Sequence, residues 1–327
     1  MPAPTSSRRA FLLASTAALC GVALQGCHAK SHDTANPPAP PAVPVLDTHT
    51  HFYDPSRPQG VPWPPKGDAL LYRPVLPKEY IALARPLGVV GTVVVEASPW
   101  VEDNRFVLDL AKDEPFILGL CGNLKPGEPA FAADLARFAK DPLFRGIRVA
   151  GDDWRPRAAD PKLLDDLKRL ADADLELDLN VGVPALPDAA RLVGRLPGLR
   201  VVLNHCANVP IDGREPPAAW ADGIRALAGR PNVFAKLSGL VEGTGKRKAD
   251  APADVAFYKP ILDAMWAAFG ADRLIYGSNW PVSARFAPLD RVQAIVRAYV
   301  ETKGEAATKA VFAGNAMKAY KVARRTA

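Results

Sequence analysis

RLIYGSNWPVS, residues 273–283, places three apolar residues behind an arginine, then turns through Gly277 and Ser278 to present Asn279, Trp280 and Pro281. This is the form of a short buried strand that stops at a sharp turn with polar atoms at its end. The same form recurs upstream in PVLDTHTHF, VVGTVVVEAS, FILGLCGNL, FRGIRVAG, LELDLNVG, RVVLNHCAN and VFAKLSGL. Between these runs lie segments with apolar residues at helical spacing, among them DNRFVLDLAKD, PKLLDDLKRLADA and PLDRVQAIVRAYV. Several open after Pro or Asp and close near Gly, as helices do. Apolar strands alternating with helices indicate a parallel sheet covered on both faces. Eight such units predict a single-domain (β/α)8 TIM barrel over residues 45–322, with residues 304–322 as a C-terminal helical extension. An open doubly wound sheet would want a glycine-rich phosphate turn after an early strand, and no GxGxxG or Walker pattern is present.

The bulk properties narrow the function classes. The chain has 327 residues, is 48% hydrophobic and carries a formal net charge of +6. Its longest basic run is only Lys246–Lys248, so a nucleic-acid partner is not expected. Arg8 and Arg9 precede the apolar run FLLASTAALCGVAL, which reads as a twin-arginine export signal over residues 1–29. Gly26 before Cys27 resembles a lipobox, so a periplasmic or membrane-tethered lipoprotein anchored at Cys27 is expected, with cleavage after Ala29 as the rival. Residues 30–44, KSHDTANPPAPPAVP, read as an extended tether. Cys121 and Cys206 sit in or beside apolar runs and read as buried free thiols, not as a disulfide framework.

A barrel enzyme assembles its site from residues at the carboxyl ends of its strands. The first strand ends in Asp47-Thr48-His49-Thr50-His51, and alternation puts the two histidines on one face. Two such imidazoles can share a metal ion with a third ligand. The barrel's remaining histidine, His205, ends the sixth strand, so all three fall on the expected catalytic face. Other strand ends bring Glu96, Arg148, Asp178 and Lys236. Charges inside parallel strands are costly unless paired. One reading is an ion-pair layer in the barrel; the other is a polar pocket in which Arg148 grips a carboxylate or an oxyanion. The loop over residues 53–76 holds six prolines with Tyr53, Trp63 and Tyr72, and reads as a lid or pocket wall.

Taken together, DTHTHFYDP, GIRV, LELDL, NHCANVP, AKLSGL and RLIYGSNWPV resemble the amidohydrolase superfamily, in its amidohydrolase-related branch of sugar-lactone and dicarboxylate lactone hydrolases. The resemblance covers about residues 45–320. It implies a (β/α)8 barrel and a hydrolytic site acting on a small molecule. His49, His51 and His205 would face a divalent ion, zinc foremost, or polarise the substrate directly, since some members of the branch are thought to hydrolyse lactones without metal. Arg148 and Lys236 would bind substrate and Trp280 would wall the pocket. Asn279 stands where the branch usually has an aspartate that takes a proton from the attacking water. An amide has no useful basicity. Three consequences stay open: the base has moved to Glu96 or Asp178, His205 serves as base, or the chain binds a ligand without turnover. A carboxylate free beside the histidines favours an enzyme; both carboxylates locked in ion pairs favour a tethered binding protein. Metal-dependent decarboxylation is the alternative reaction in the same superfamily.

Overall fold

The computed structural model describes residues 43–325; the export signal, Cys27 and nearly all of the tether lie outside the described residues. Eight strands follow in order: β1 (Val45–Thr50), β2 (Val89–Val95), β3 (Ile117–Gly122), β4 (Phe144–Ala150), β5 (Glu176–Asn180), β6 (Arg200–Leu203), β7 (Val233–Leu237) and β8 (Leu274–Tyr276). All neighbours are parallel and the spatial order is the sequence order. The ring is drawn together by a parallel bridge between Thr50 and Trp280, where the His51 N–H donates to the Trp280 carbonyl at 2.9 Å. Each strand falls inside one of the eight apolar runs. The helices between them are built as their sequences suggest. In Pro161–Asp172, the Asp160 side chain accepts from the Lys162 N–H, Pro161 opens the first turn, and Leu163, Leu164, Leu167 and Leu170 form the buried face.

Two features of the barrel interior position the site. The first is its floor. Residues expected as an appended extension instead close the amino-terminal mouth: Ala316, Ala319, Tyr320 and Val322 pack into the barrel against Leu46, Val93, Leu118, Val202 and Ile275. Arg200 Nε donates to the Ala319 carbonyl at 2.9 Å, and Arg325 Nη1 donates to the Ile117 carbonyl at 2.8 Å, tying this tail to the starts of β6 and β3. The second is a buried polar layer. Lys236 Nζ donates to Asp178 Oδ2 at 2.7 Å, and the Tyr320 hydroxyl donates to Asp178 Oδ1 at 2.7 Å. Glu176 lies against the Cys121 thiol, and burial drives its pKa well above the usual carboxylate range, so it is held neutral.

The β1–β2 register shifts between Asp47 and Thr50. Leu46 faces the barrel interior, and beyond the shift His49 and His51 also face it, while Asp47 turns outward to accept from the Tyr80 hydroxyl at 2.6 Å. Asp47 Oδ1 also accepts from the His49 and Ser278 N–H groups at 3.0 and 2.8 Å, pinning β1 to the turn after β8.

Candidate active site

The three histidines converge at the carboxyl ends of β1 and β6. The His49 ring centroid lies 4.3 Å from that of His205 and 5.0 Å from that of His51. This closeness rests on two glycines: a Cβ at Gly277 would lie 2.9 Å from His49 Cβ, and one at Gly239 would lie 2.6 Å from His205 Cβ. Gly239 also has φ of 68°, which a residue with a Cβ rarely adopts.

Each imidazole is held from behind by a different group, and these groups set where its proton sits. His51 Nδ1 lies 3.0 Å from the Val95 carbonyl, which only accepts, so Nδ1 carries hydrogen and neutral Nε2 bears the lone pair. His205 Nδ1 lies 3.0 Å from Ser238 Oγ. His49 Nδ1 lies 3.1 Å from Lys236 Nζ. An ammonium paired with Asp178 only donates, so His49 carries its hydrogen on Nε2. That Nε2 is buried and has no partner. Burial, then the nearby Lys236 charge, keeps His49 and His205 well below the ordinary imidazole range. Burial, then the Arg148 charge, brings His51 to about 3. All three are neutral at pH 7.

His205 opens a turn whose four residues, His205, Cys206, Ala207 and Asn208, all have φ between 47° and 56°. A left-handed turn of residues with a Cβ costs roughly 1–2 kcal/mol per residue. It persists because its surroundings hold it: Trp220 Nε1 donates to the Cys206 carbonyl at 2.8 Å, and Asn208 Nδ2 donates to Asn180 Oδ1 and the Val181 carbonyl at 2.8 and 2.9 Å. Cys206 and Cys121 are buried free thiols.

The two carboxylates expected as relocated bases are both locked in ion pairs, so the base has moved to neither, and the arrangement that on sequence grounds favours a binding protein is the one present. Glu96 Oε1 accepts from Arg148 Nε at 2.7 Å, and the Glu96 carbonyl accepts from Arg148 Nη2 at 2.9 Å. Asp178 is committed to Lys236 and Tyr320. Arg148 lines a cavity of about 150 Å³ shared with Asn123, Lys125, Asp153 and Trp154. Trp280 does not wall it: its ring packs against Tyr80 at 5.2 Å and Phe52 at 6.3 Å in the outer core, because the chain turns away from the barrel axis after Asn279. The aromatic beside the histidines is Trp63 of the long loop, 6.0 Å from His51, and that loop is fastened by the Tyr53–Val75 bridge.

Asn279 has left-handed φ of 58°, and its Oδ1 lies 3.2 Å from His51 Nε2. Its Nδ2 lies 2.7 Å from Glu242 Oε1, and Glu242 Oε2 is buried without a partner. Burial raises the Glu242 carboxyl to about 7. Glu242 escapes a reading confined to strand ends because it sits in the short helix Leu240–Gly243 after β7. The signal was an acid four residues beyond the Ser238 strand end, in a loop over the catalytic face.

Residues 46–322 match the amidohydrolase family model. This chain belongs to the amidohydrolase family. It is 37% identical over 244 residues to an L-fucono-1,5-lactonase of Burkholderia ambifaria, covering 73% of this chain and 80% of that protein. It is 30% identical over 282 residues to an L-fucono-1,5-lactonase of Burkholderia multivorans, covering 84% of this chain and 95% of the relative. A solved amidohydrolase of Burkholderia multivorans with bound zinc superposes with a TM-score of 0.78 at 29% identity, covering 86% of this chain and all of that one.

Proposed function

We propose that this chain hydrolyses a sugar-acid lactone to the open hydroxy acid. The observation that carries the reading is the partnerless His49 Nε2–H, backed by the Lys236–Asp178 pair and set beside the His51 Nε2 lone pair. A buried donor with no acceptor is an oxyanion site in waiting. Water oxygen bonds to the lactone carbonyl carbon, and the carbonyl π pair moves to oxygen, where His49 Nε2–H receives it. The water proton passes to His51 Nε2; the oxyanion pair then re-forms the carbonyl, the C–O bond breaks with its pair leaving on the ring oxygen, and His51 gives that oxygen the proton. Arg148 shares its charge with Glu96, so a substrate reaching it suits this site better as a neutral polyhydroxy ring than as a dianion. The two Burkholderia lactonases add weight to a sugar lactone as the substrate class.

The three histidines do not fit a divalent ion as a ligand set. The Nδ1 lone pair of His49 accepts from an ammonium and its Nε2 carries hydrogen, so His49 has no lone pair for a metal while Lys236 is charged. Two cations, Lys236 and Arg148, already depress these imidazoles, and no carboxylate comes from the end of β8. Turnover therefore runs through the side chains. The test is a panel of sugar lactones, L-fucono-1,5-lactone included, followed by acid release before and after dialysis against chelator. Turnover unchanged by chelation is expected. No lactone opened would overturn the function, and loss of turnover on chelation would overturn the metal-free route. A decarboxylase would instead release carbon dioxide from an aromatic acid.

From residues 1–29 and Cys27 we also infer export and lipid attachment. Labelled palmitate carried by the wild type and lost in Cys27→Ser is the expected result; equal label in both would refute it.

A further inference from the structure

Resting on the lactone-hydrolysis reading, we infer that Glu242 is a positioning residue: its carboxylate fixes the orientation of the Asn279 amide, so that Asn279 Oδ1 and the His51 Nε2 lone pair converge on one attacking water. The geometry is a three-membered chain. His51 Nε2 lies 3.2 Å from Asn279 Oδ1, and Asn279 Nδ2 lies 2.7 Å from Glu242 Oε1.

Hydrogen-bond valence makes the ionised form of Glu242 the one that fixes this chain. His51 donates through Nδ1 to the Val95 carbonyl, so neutral Nε2 is an acceptor. When Glu242 is ionised it only accepts, and Asn279 must turn its NH₂ toward it. Asn279 Oδ1 then faces the His51 lone pair. Two acceptors 3.2 Å apart repel one another unless a donor with two hydrogens bridges them, and water is that donor. Its oxygen lone pairs are left pointing away from both, free to attack. A protonated Glu242 gains a donor, so the amide is no longer held one way: turned over, it accepts from Glu242 and its Nδ2 fills the His51 lone pair. The water's anchor is lost.

Glu242 is placed for this role. It accepts nothing from a cation within its own short helix, and its Oε2 has no partner. Burial raises its carboxyl, opposed by the Asn279 hydrogen bond, and its charge in turn reaches Cys206, Tyr258 and Tyr276, which burial raises and keeps neutral at pH 7; the segments packed on its helix also carry His205, held neutral, and Arg285, which pairs with Asp68. The ionisation of Glu242, near pH 7, therefore falls where it can change the occupancy of the two forms. This also accounts for an amide at the end of β8. A carboxylate at residue 279 would stand against Glu242, and two such groups share one proton.

The test is the pH dependence of kcat and KM for wild type, Glu242→Gln, Asn279→Asp and the exchanged pair Asn279→Asp/Glu242→Gln. In the wild type kcat should rise through pH 7. In Glu242→Gln that limb should vanish and kcat should fall roughly 10²-fold, the scale of a misplaced reactant, with KM changed a few-fold at most. Asn279→Asp should be similarly impaired, and the exchanged pair should recover at least tenfold over it, because it restores one carboxylate and one amide. A wild-type pH limb retained in Glu242→Gln, or Asn279→Asp as active as wild type, would overturn the proposal. If the wild type opens no lactone, the hydrolysis reading fails by itself. The amide orientation is then read from the nitrogen-15 shift of Asn279 Nδ2 against pH. A shift that moves in the wild type and not in Glu242→Gln supports the coupling, and an unmoving shift in both refutes it.

Discussion

Replacing Lys236 by Met separates what this lysine does for the fold from what it does for the chemistry. Its ammonium and the Asp178 carboxylate are wholly buried, 2.7 Å apart. Met fills similar volume but leaves Asp178 with only the Tyr320 hydroxyl. Removing one partner of a buried pair costs about 3–5 kcal/mol, because the remaining charge is stranded. That is a large part of the 5–15 kcal/mol that holds a typical domain together. It corresponds to roughly 10 °C in Tm for a domain of this size. Lys236→Met/Asp178→Asn removes both charges and should recover most of that loss. Activity should not follow. Without the ammonium at Nδ1, His49 has no reason to keep its hydrogen on Nε2, and loss of one oxyanion donor costs about 10²–10³ in kcat. Urea unfolding and lactone hydrolysis on the two variants measure the two effects separately. A single variant within about 1 kcal/mol of wild type would refute the stranded-charge argument. A double variant that regains turnover would refute the role of Lys236 in setting His49.

Glu242 has a folded pKa of about 7 against an ordinary 4.5, so between those values the folded state holds a proton that the unfolded chain has released. Stability from this group therefore falls as pH rises through that window, and Glu242→Gln should gain on the wild type by roughly 2–3 kcal/mol between pH 5 and pH 8, read by urea unfolding at both. The histidines act with the opposite sign. Their folded pKa values lie below the ordinary 6.5, to about 3 for His51, so the unfolded chain binds protons first and stability falls as pH drops below 6.5. A His51→Asn variant should lose less stability than the wild type between pH 6.5 and pH 4, and an equal loss would contradict the neutral reading. Gly239→Ala should destabilise by about 1 kcal/mol or more through its positive φ and displace His205. Turnover should fall more than stability, and unchanged kcat would show that the His205 position is not critical.

The barrel was legible because its signals are local. Eight apolar runs bounded by helical spacing carry the period of a parallel sheet, and each became a strand. The convergence of His49, His51 and His205 was legible too, because strand ends map to one barrel face. An ion-pair layer of Glu96, Arg148, Asp178 and Lys236 is one of the two sequence readings and the structure pairs them; the choice of partners is what failed to show. Nothing in LELDLNV or AKLSGL says that Asp178 and Lys236 are partners, or that Lys236 continues to His49. Strand alternation alone does not reveal the register shift after Asp47 that supports the histidine arrangement. The wall role for Trp280 comes with the resemblance, and a strand-end position alone does not say whether the next residue turns toward the barrel axis or, as here, against Phe52 and Tyr80. Glu242 escapes because it lies in a one-turn helix after β7, too short for any period to mark which side chain turns inward.

The floor of the barrel has a consequence for synthesis. Tyr320, near the carboxyl end of the chain, completes the hydrogen bonding of Asp178, and Arg325 ties the tail to β3. While a ribosome is still delivering these residues, the eight strands can gather but their lower mouth stays open and the Lys236–Asp178 pair stays wet. The buried charges lose their water only when Ala316, Ala319, Tyr320 and Val322 pack underneath. The segment that closes the barrel floor is thus also the one that completes the burial of its charged pair, and a chain lacking Tyr320 would leave Asp178 one donor short.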